Sequence, residues 1–222
     1  MNTNPAAIKV LCYGDSNTWG QKPDKSGRYP ADMRWTGRLQ NCLGRQYYIV
    51  EEGLGSRTTD LEYVKKPGRN GKTYLMPCLE SHSPLDIVVL MLGTNDLKIE
   101  FDRSAQAAAE AIAGLVDLIR DVAVNRVGQP PTVLLVSPVY IDDQAPDFAE
   151  FYGGVYYNDD SGTKSRELAE AIKGIADKMD CEFFDASGVA RPGADGIHFS
   201  KAAHVGLADA LEKEVKKIFG QV

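Results

Sequence analysis

Six residues in a row, Ile87-Val88-Val89-Leu90-Met91-Leu92, carry no polar side chain. A run that short and that apolar marks a strand covered on both faces, the situation of a parallel sheet sandwiched between helices. It is far too short to span a membrane, which takes about 20 apolar residues. The rest of the chain repeats the theme. Ile8–Tyr13, Tyr47–Val50, Val133–Val136 and Glu182–Phe184 read as further strands. Between them lie segments of helical period: Met33–Leu43, stopped by Gly44; a short candidate at Thr73–Ser83, interrupted by Pro77; a long helix from the cap Ser104 to about Arg126; Thr163–Met179; and a capped helix over Ser200–Phe219. In the long helix Ala108, Ala111, Ile112, Leu115, Ile119 and Val122 recur at a 3.6-residue spacing. Strands alternating with helices predict an α/β fold, a central parallel sheet with helices on both faces. No repeat or low-complexity linker divides it, so residues 1–222 are expected to form a single domain.

Residues 142–162 break the pattern. They have no clean period and hold Phe148, Phe151, Tyr152, Tyr156 and Tyr157 among acidic residues and glycines. The segment is either a surface excursion with its own small apolar cluster or a loop that covers substrate.

The net charge of -6 over 222 residues argues against a nucleic-acid-binding surface, and no Lys/Arg run opposes that. It fits small uncharged substrates, with no basic lining expected around the site. Cys12, Cys42, Cys78 and Cys181 lie at least 30 residues apart, without the CxxC spacing of zinc or redox sites. They are expected to be reduced, as in a cytoplasmic protein. Met1–Pro5 has no basic segment leading into an apolar one, so no signal peptide is expected there. No membrane contact is expected either.

Ligands of parallel sheets bind at the carboxyl ends of the strands. After the first strand comes Gly14-Asp15-Ser16-Asn17-Thr18, and after the Ile87 run Gly93-Thr94-Asn95-Asp96. After the last strand, just before the final helix, comes Asp195-Gly196-Ile197-His198-Phe199-Ser200. Singly, each is an ordinary turn with a helix cap. Together they supply a set for acyl transfer: Ser16 as nucleophile, His198 as general base, Asp195 to fix the imidazole tautomer, and Asn95 as oxyanion donor.

These blocks resemble the SGNH (GDSL-type) hydrolases. The wider stretches Cys12–Gly20, Arg34-Trp35-Thr36-Gly37, Glu51-Glu52-Gly53-Leu54 and Asp195–Ser200 resemble the arylesterase/acyltransferase branch of that family. The likeness runs from Val10 to the last helix and is weakest across residues 142–162. It implies a flavodoxin-like α/β/α sandwich with Ser16, Asp195 and His198 as the triad. It also implies an oxyanion hole from the N–H of Ser16, the side chain of Asn95 and a backbone N–H of the turn after the second strand. The family usually has glycine at that last position; here Ser56 falls on it, with Gly55 as the alternative donor. Asn17 stands where the family more often has leucine, either tuning the acyl pocket or capping the turn. The branch further implies short acyl groups such as acetyl, acyl transfer to alcohols, homo-oligomers whose neighbouring subunits narrow the site, and no cofactor, with aryl esters, acetylated sugars and thioesters all open as substrates.

Other readings compete. Asp15, Asp96, Asp195 and His198 suggest a metal-dependent phosphoesterase, although such sites lean on several histidines and this chain has three. With no metal expected, Asp15 and Asp96 are read as carboxylates capping helix starts. A ligand-binding module without turnover would use the same fold. Gly68–Thr73 ends like a phosphate-binding loop, but Lys66 occupies its first glycine position and no buried strand precedes it. Trp19 and Trp35 are either core anchors or walls of the acyl pocket.

Overall fold

In the computed structural model, which describes residues 2–220, the apolar runs become five strands. They are β1 (Ile8–Gly14), β2 (Tyr47–Gly53), β3 (Ile87–Met91), β4 (Thr132–Ser137) and β5 (Glu182–Asp185). All neighbours pair in parallel, in the order β2-β1-β3-β4-β5. This is the flavodoxin-like order, whose direction of winding reverses between β1 and β3. The register sets Gly14 opposite both Gly53 and Met91, so three strands end at one level and the loops after them meet.

Among the described residues seven α-helices complete the layers: α1 (Ser16–Trp19), α2 (Trp35–Leu43), α3 (Gly71–His82), α4 (Ala105–Val122), α5 (Phe148–Phe151), α6 (Asp159–Met179) and α7 (Lys201–Ile218). Alternate residues of each central strand enter opposite cores. Val10, Val89 and Val136 pack with Trp35, Leu39, Leu207 and Leu211 of α2 and α7. Leu11, Val88, Leu90 and Leu135 pack with residues of α3, α4 and α6, among them Leu79, Ile112, Leu115 and Ile172. Each such side chain contributes about 1.5–3 kcal/mol by leaving water. The sandwich expected from the sequence is the sandwich observed.

Several boundaries differ from expectation for local reasons. α4 stops at Val122 rather than near Arg126, because the Asn125 side chain accepts the backbone N–H groups of Val127 and Gln129 and turns the chain. α6 begins four residues early, at Asp159, on a reciprocal cap between Asn158 and Ser161. α3 runs through Pro77 instead of being interrupted by it, starting from the Asn70 side chain, which accepts from the Thr73 N–H. Residues 142–162 are not devoid of structure, since they hold α5 and the first turn of α6.

Candidate active site

Ser16 sits where β1 gives way to a helix of a single turn. Its predecessor Asp15 accepts the Asn17 N–H at 2.9 Å, and Gly20 ends the turn at φ 88°. Close approach dictates the neighbouring glycines: a Cβ on Gly14 would lie 2.1 Å from Thr18 Oγ1, and one on Gly53 2.1 Å from the Trp19 nitrogen. Without them the turn could not rest on the strand ends. From the far end of the chain, the loop before α7 brings His198 to the same point. His198 Nε2 is 2.9 Å from Ser16 Oγ, and His198 Nδ1 is 2.6 Å from Asp195 Oδ2. The other carboxylate oxygen of Asp195 accepts the N–H groups of Ile197 and His198 at 3.0 and 2.9 Å. Asp195 is fully buried, so its lone pairs are spent inside the protein. With Nδ1–H donated to Asp195, the unprotonated Nε2 faces the Ser16 hydroxyl.

Asn95 follows β3 in a 3₁₀ turn (Thr94–Leu97) and is also buried. Its Nδ2 donates to the Arg57 carbonyl at 3.1 Å and makes a longer 3.4 Å contact with Asp15 Oδ2. Ser56 lies between, in the turn after β2, at φ 64°. This is the left-handed region where glycine is at home, so serine here adopts the backbone shape that glycine would supply. Arg57 pins that turn. Its buried guanidinium donates to the carbonyls of Gly14 (2.8 Å) and Glu52, and lies over the ring of Tyr13. Ser16, Ser56, Asn95 and His198 all line one cavity of about 250 Å³, and Gly55 is not among its lining residues. A larger hollow of about 540 Å³ around Arg34, Gln40 and Glu51 has no serine, cysteine or histidine in its wall.

Neither tryptophan walls the cavity. Trp35 is core, 1% exposed, and Trp19 lies under Arg28. The aromatic wall is instead Tyr152, Tyr156 and Tyr157, from the segment that the sequence left as either excursion or cover. The Tyr152 hydroxyl is 3.4 Å from both Asp195 Oδ2 and His198 Nδ1. Burial, with Asp195 beside it, raises the Tyr152 pKa and keeps the phenol protonated.

Three further expectations need correction. Asn17 neither tunes the pocket nor caps the turn: it accepts from the Phe199 N–H at 2.9 Å and donates to the Ile197 carbonyl at 3.2 Å, gripping the chain on both sides of His198. Asp15 does cap its helix, but Asp96 does not. Its carboxylate accepts the Thr59 N–H and hydroxyl and an Arg103 N–H, tying the turn after β2 to the turn after β3. Burial lifts its pKa to about 6, opposed by those same partners. The cavity is also not free of basic residues. Lys25, Lys66 and Lys98 line it, a feature no motif signals because the three lie in unrelated loops.

The carboxylates proposed for a metal do not converge. Among the described residues, one set of three or more His, Cys, Asp or Glu ligand atoms lies within 4.8 Å of one another: Glu52, Cys78 and His82 on β2 and α3. In that set Glu52 is already engaged by His82 at 2.9 Å.

Ser16, His198 and Asp195 thus meet at the winding reversal of a parallel sheet with the fold of the SGNH hydrolases. Residues 12–205 match the model of the GDSL-like lipase/acylhydrolase family. The chain belongs to that family of carboxylic ester hydrolases. An aryl esterase from M. smegmatis is 38% identical, with 95% of this chain and 99% of that one covered and a TM-score of 0.85. A carbohydrate acetylesterase from Sinorhizobium meliloti is 40% identical, with the same coverage and a TM-score of 0.84. An acetylxylan esterase from Xylanibacter ruminicola is 32% identical over 98 residues, 42% of this chain. That match spans only 18% of the length of the curated relative.

Proposed function

We propose that the protein is a serine esterase that cleaves short-chain acyl esters, acetyl esters of aryl or carbohydrate alcohols foremost, through an acyl-enzyme. The observation that carries this reading is the unbroken relay from Asp195 through His198 to Ser16, with contacts of 2.6 and 2.9 Å. Ser16 Oγ forms a bond to the ester carbonyl carbon while its proton passes to His198 Nε2. The carbonyl oxygen, now negative, takes hydrogen bonds from the N–H groups of Ser16 and Ser56 and from Asn95 Nδ2, which gives up its long contact with Asp15. The bond to the alcohol oxygen then breaks, and His198 returns the proton to it. Water, or a second alcohol in a transfer reaction, attacks the acyl carbon with its proton taken by His198; the bond from that carbon to Ser16 Oγ then breaks, His198 returns the proton to Ser16 Oγ, and the acid or the new ester leaves.

A cavity of about 250 Å³ is smaller than the roughly 300–1,000 Å³ of drug-sized ligand sites, which supports small acyl groups. Tyr152, Tyr156 and Tyr157 act as the cover over the bound ester. No step requires a cofactor. Two apolar side chains stand exposed on the segments beside the cavity, Val64 (88%) and Val155 (70%), and support a homo-oligomer in which a neighbouring copy narrows the mouth. Light scattering across a concentration series tests that assembly. All four thiols are free, which supports a reducing, cytoplasmic setting. Among the described residues no helix is long and apolar enough to cross a membrane.

The test is Ser16→Ala against a panel of 4-nitrophenyl esters, with an organophosphonate as covalent label. The wild type labels at Ser16 and turns over acetate fastest. The variant does neither, losing at least about 10⁴-fold in kcat. Wild-type-like turnover by Ser16→Ala overturns the reading, and labelling without turnover assigns the chain to ligand binding instead.

A further inference from the structure

Among the described residues the cations of the cavity have no carboxylate in contact. Lys98, in the turn after β3, is only 6% exposed, while Lys25 and Lys66 stand at the rim on two other loops. No carboxylate lines the cavity. Among the described residues none of the three lysines has an ion-pair partner within 4.0 Å. The groups in direct contact with them are neutral, and Glu100, Asp15 and Asp96 act on Lys98 only from beyond ion-pair distance. Lys25 Nζ lies 3.9 Å and 4.6 Å from the ring centres of Phe151 and Tyr152. Lys66 Nζ donates to Ser56 Oγ at 3.1 Å, and Lys98 Nζ lies 4.5 Å from the ring centre of Tyr63.

The carboxylates that act on Lys98 from a distance have other partners. Asp15 accepts from Asn17, Asp96 from Thr59 and Arg103, and Glu100 pairs with Lys65 at 3.1 Å. Burial, and then repulsion from Lys66, bring Lys98 down to about 8, against a weaker pull from Glu100, Asp15 and Asp96. A chain with a net charge of -6 has no shortage of acids to neutralise a chance cluster, and a buried lysine is seldom left without one.

We propose that the cavity selects acyl esters that bear an anionic group, a carboxylate or a phosphate, seated among Lys25, Lys66 and Lys98. This rests on the esterase reading and names its substrate class. The anion takes no part in the bond changes. It pairs with the lysines and orients the ester, so that the carbonyl lies between Ser16 and the oxyanion donors while the aromatic cover closes over it.

Matched pairs test the idea on both sides of the ester bond. One pair is 4-acetoxybenzoate and its methyl ester; the other is phenyl hydrogen succinate and phenyl methyl succinate. At low ionic strength the wild type favours the carboxylate of at least one pair by about tenfold in kcat/KM. The favoured pair shows whether the anion lies on the alcohol or the acyl side. Salt at about 0.5 M shrinks the preference. Lys98→Met, and the double rim variant Lys25→Met/Lys66→Met, which keeps the readout if the buried substitution unfolds the chain, each bring the ratio to within about threefold of one.

A ratio at or below one for both pairs, with the neutral esters turned over, overturns the anion site and leaves the esterase standing. A preference undiminished in both variants overturns it too. Should no ester be turned over, the esterase reading fails. The anion site is then decided by calorimetry, with 4-hydroxybenzoate against its methyl ester: tighter binding of the carboxylate that the rim variant abolishes upholds it, and equal binding sinks it.

Discussion

Asn17 and Phe199 stand 182 positions apart, and the Phe199 N–H donates to the Asn17 side-chain Oδ1 at 2.9 Å, while Asn17 Nδ2 donates to the Ile197 carbonyl on the other side of His198. The residue after the candidate nucleophile therefore holds the backbone of the candidate base. A drift of about 1 Å in the imidazole would spoil proton transfer. Asn17→Leu leaves a buried N–H without an acceptor and frees the loop. The expected outcome is a fall of about 10–100-fold in kcat with KM changed less than about twofold, and a loss of about 1–3 kcal/mol in urea unfolding. Asn17→Asp, which keeps the acceptor and loses the donor, should fall between. A rise in KM alone would show that Asn17 contacts substrate instead.

Ser56 carries a left-handed backbone, φ 64°, at a position that glycine would occupy without strain. The strain is about 1–2 kcal/mol for a residue with a side chain, and glycine's extra chain entropy offsets part of the relief. Ser56→Gly is therefore expected to stabilise the fold by about 1 kcal/mol, and Ser56→Val to destabilise it, as read from paired thermal melts.

His204 is fully buried, accepts the Trp35 N–H through Nδ1 at 3.2 Å, and lies between the rings of Tyr29 and Phe199. Burial, and to a lesser degree Arg34, lower its pKa to about 4 from an unfolded value near 6.5. The unfolded chain thus binds the extra proton first. His204 supports the fold fully above about pH 6.5, and that support drains away as pH falls toward 4, by about 3 kcal/mol in all. Asp96, raised to about 6, acts in the opposite sense between roughly pH 4 and 6. The contrast is therefore read between wild type and His204→Asn, which keeps an acceptor for Trp35 and cannot titrate. On going from pH 7.5 to 4.5 the urea midpoint of the wild type should shift downward relative to that of the variant, whatever the shift that Asp96 and the other acids impose on both.

How much of this was legible beforehand depends on the range of the physics involved. Val88 and Leu90 announce a buried strand because burial on both faces admits nothing polar. Ser104 and Ser200 both cap helices through the third residue onward, a contact confined to one turn. Asp195 reaches His198 across three residues, and that short reach is written in their spacing. Asp96 was misread, because its partners Thr59 and Arg103 come from other loops. Nothing in the local sequence around Asn17 distinguishes a helix cap from a clamp on a loop 180 residues away.

The sequence by itself determined the alternation of strand and helix, the two-sided burial of the sheet, and the three loops that hold Ser16, Asn95 and His198. Those follow from periodicity, turn chemistry and the rule that parallel strands present ligands at their carboxyl ends. The tertiary structure alone decided which side chains surround those three residues. Gly14, Gly53 and Met91 fall level in the sheet, so loops distant in the chain converge there. Only that convergence brings Lys25, Lys66 and Lys98 to one cavity with the tyrosines of residues 152–157. Charge has meaning in a site through distances across space, and a net charge of -6, averaged over the whole chain, concealed a cavity whose charged lining is all positive.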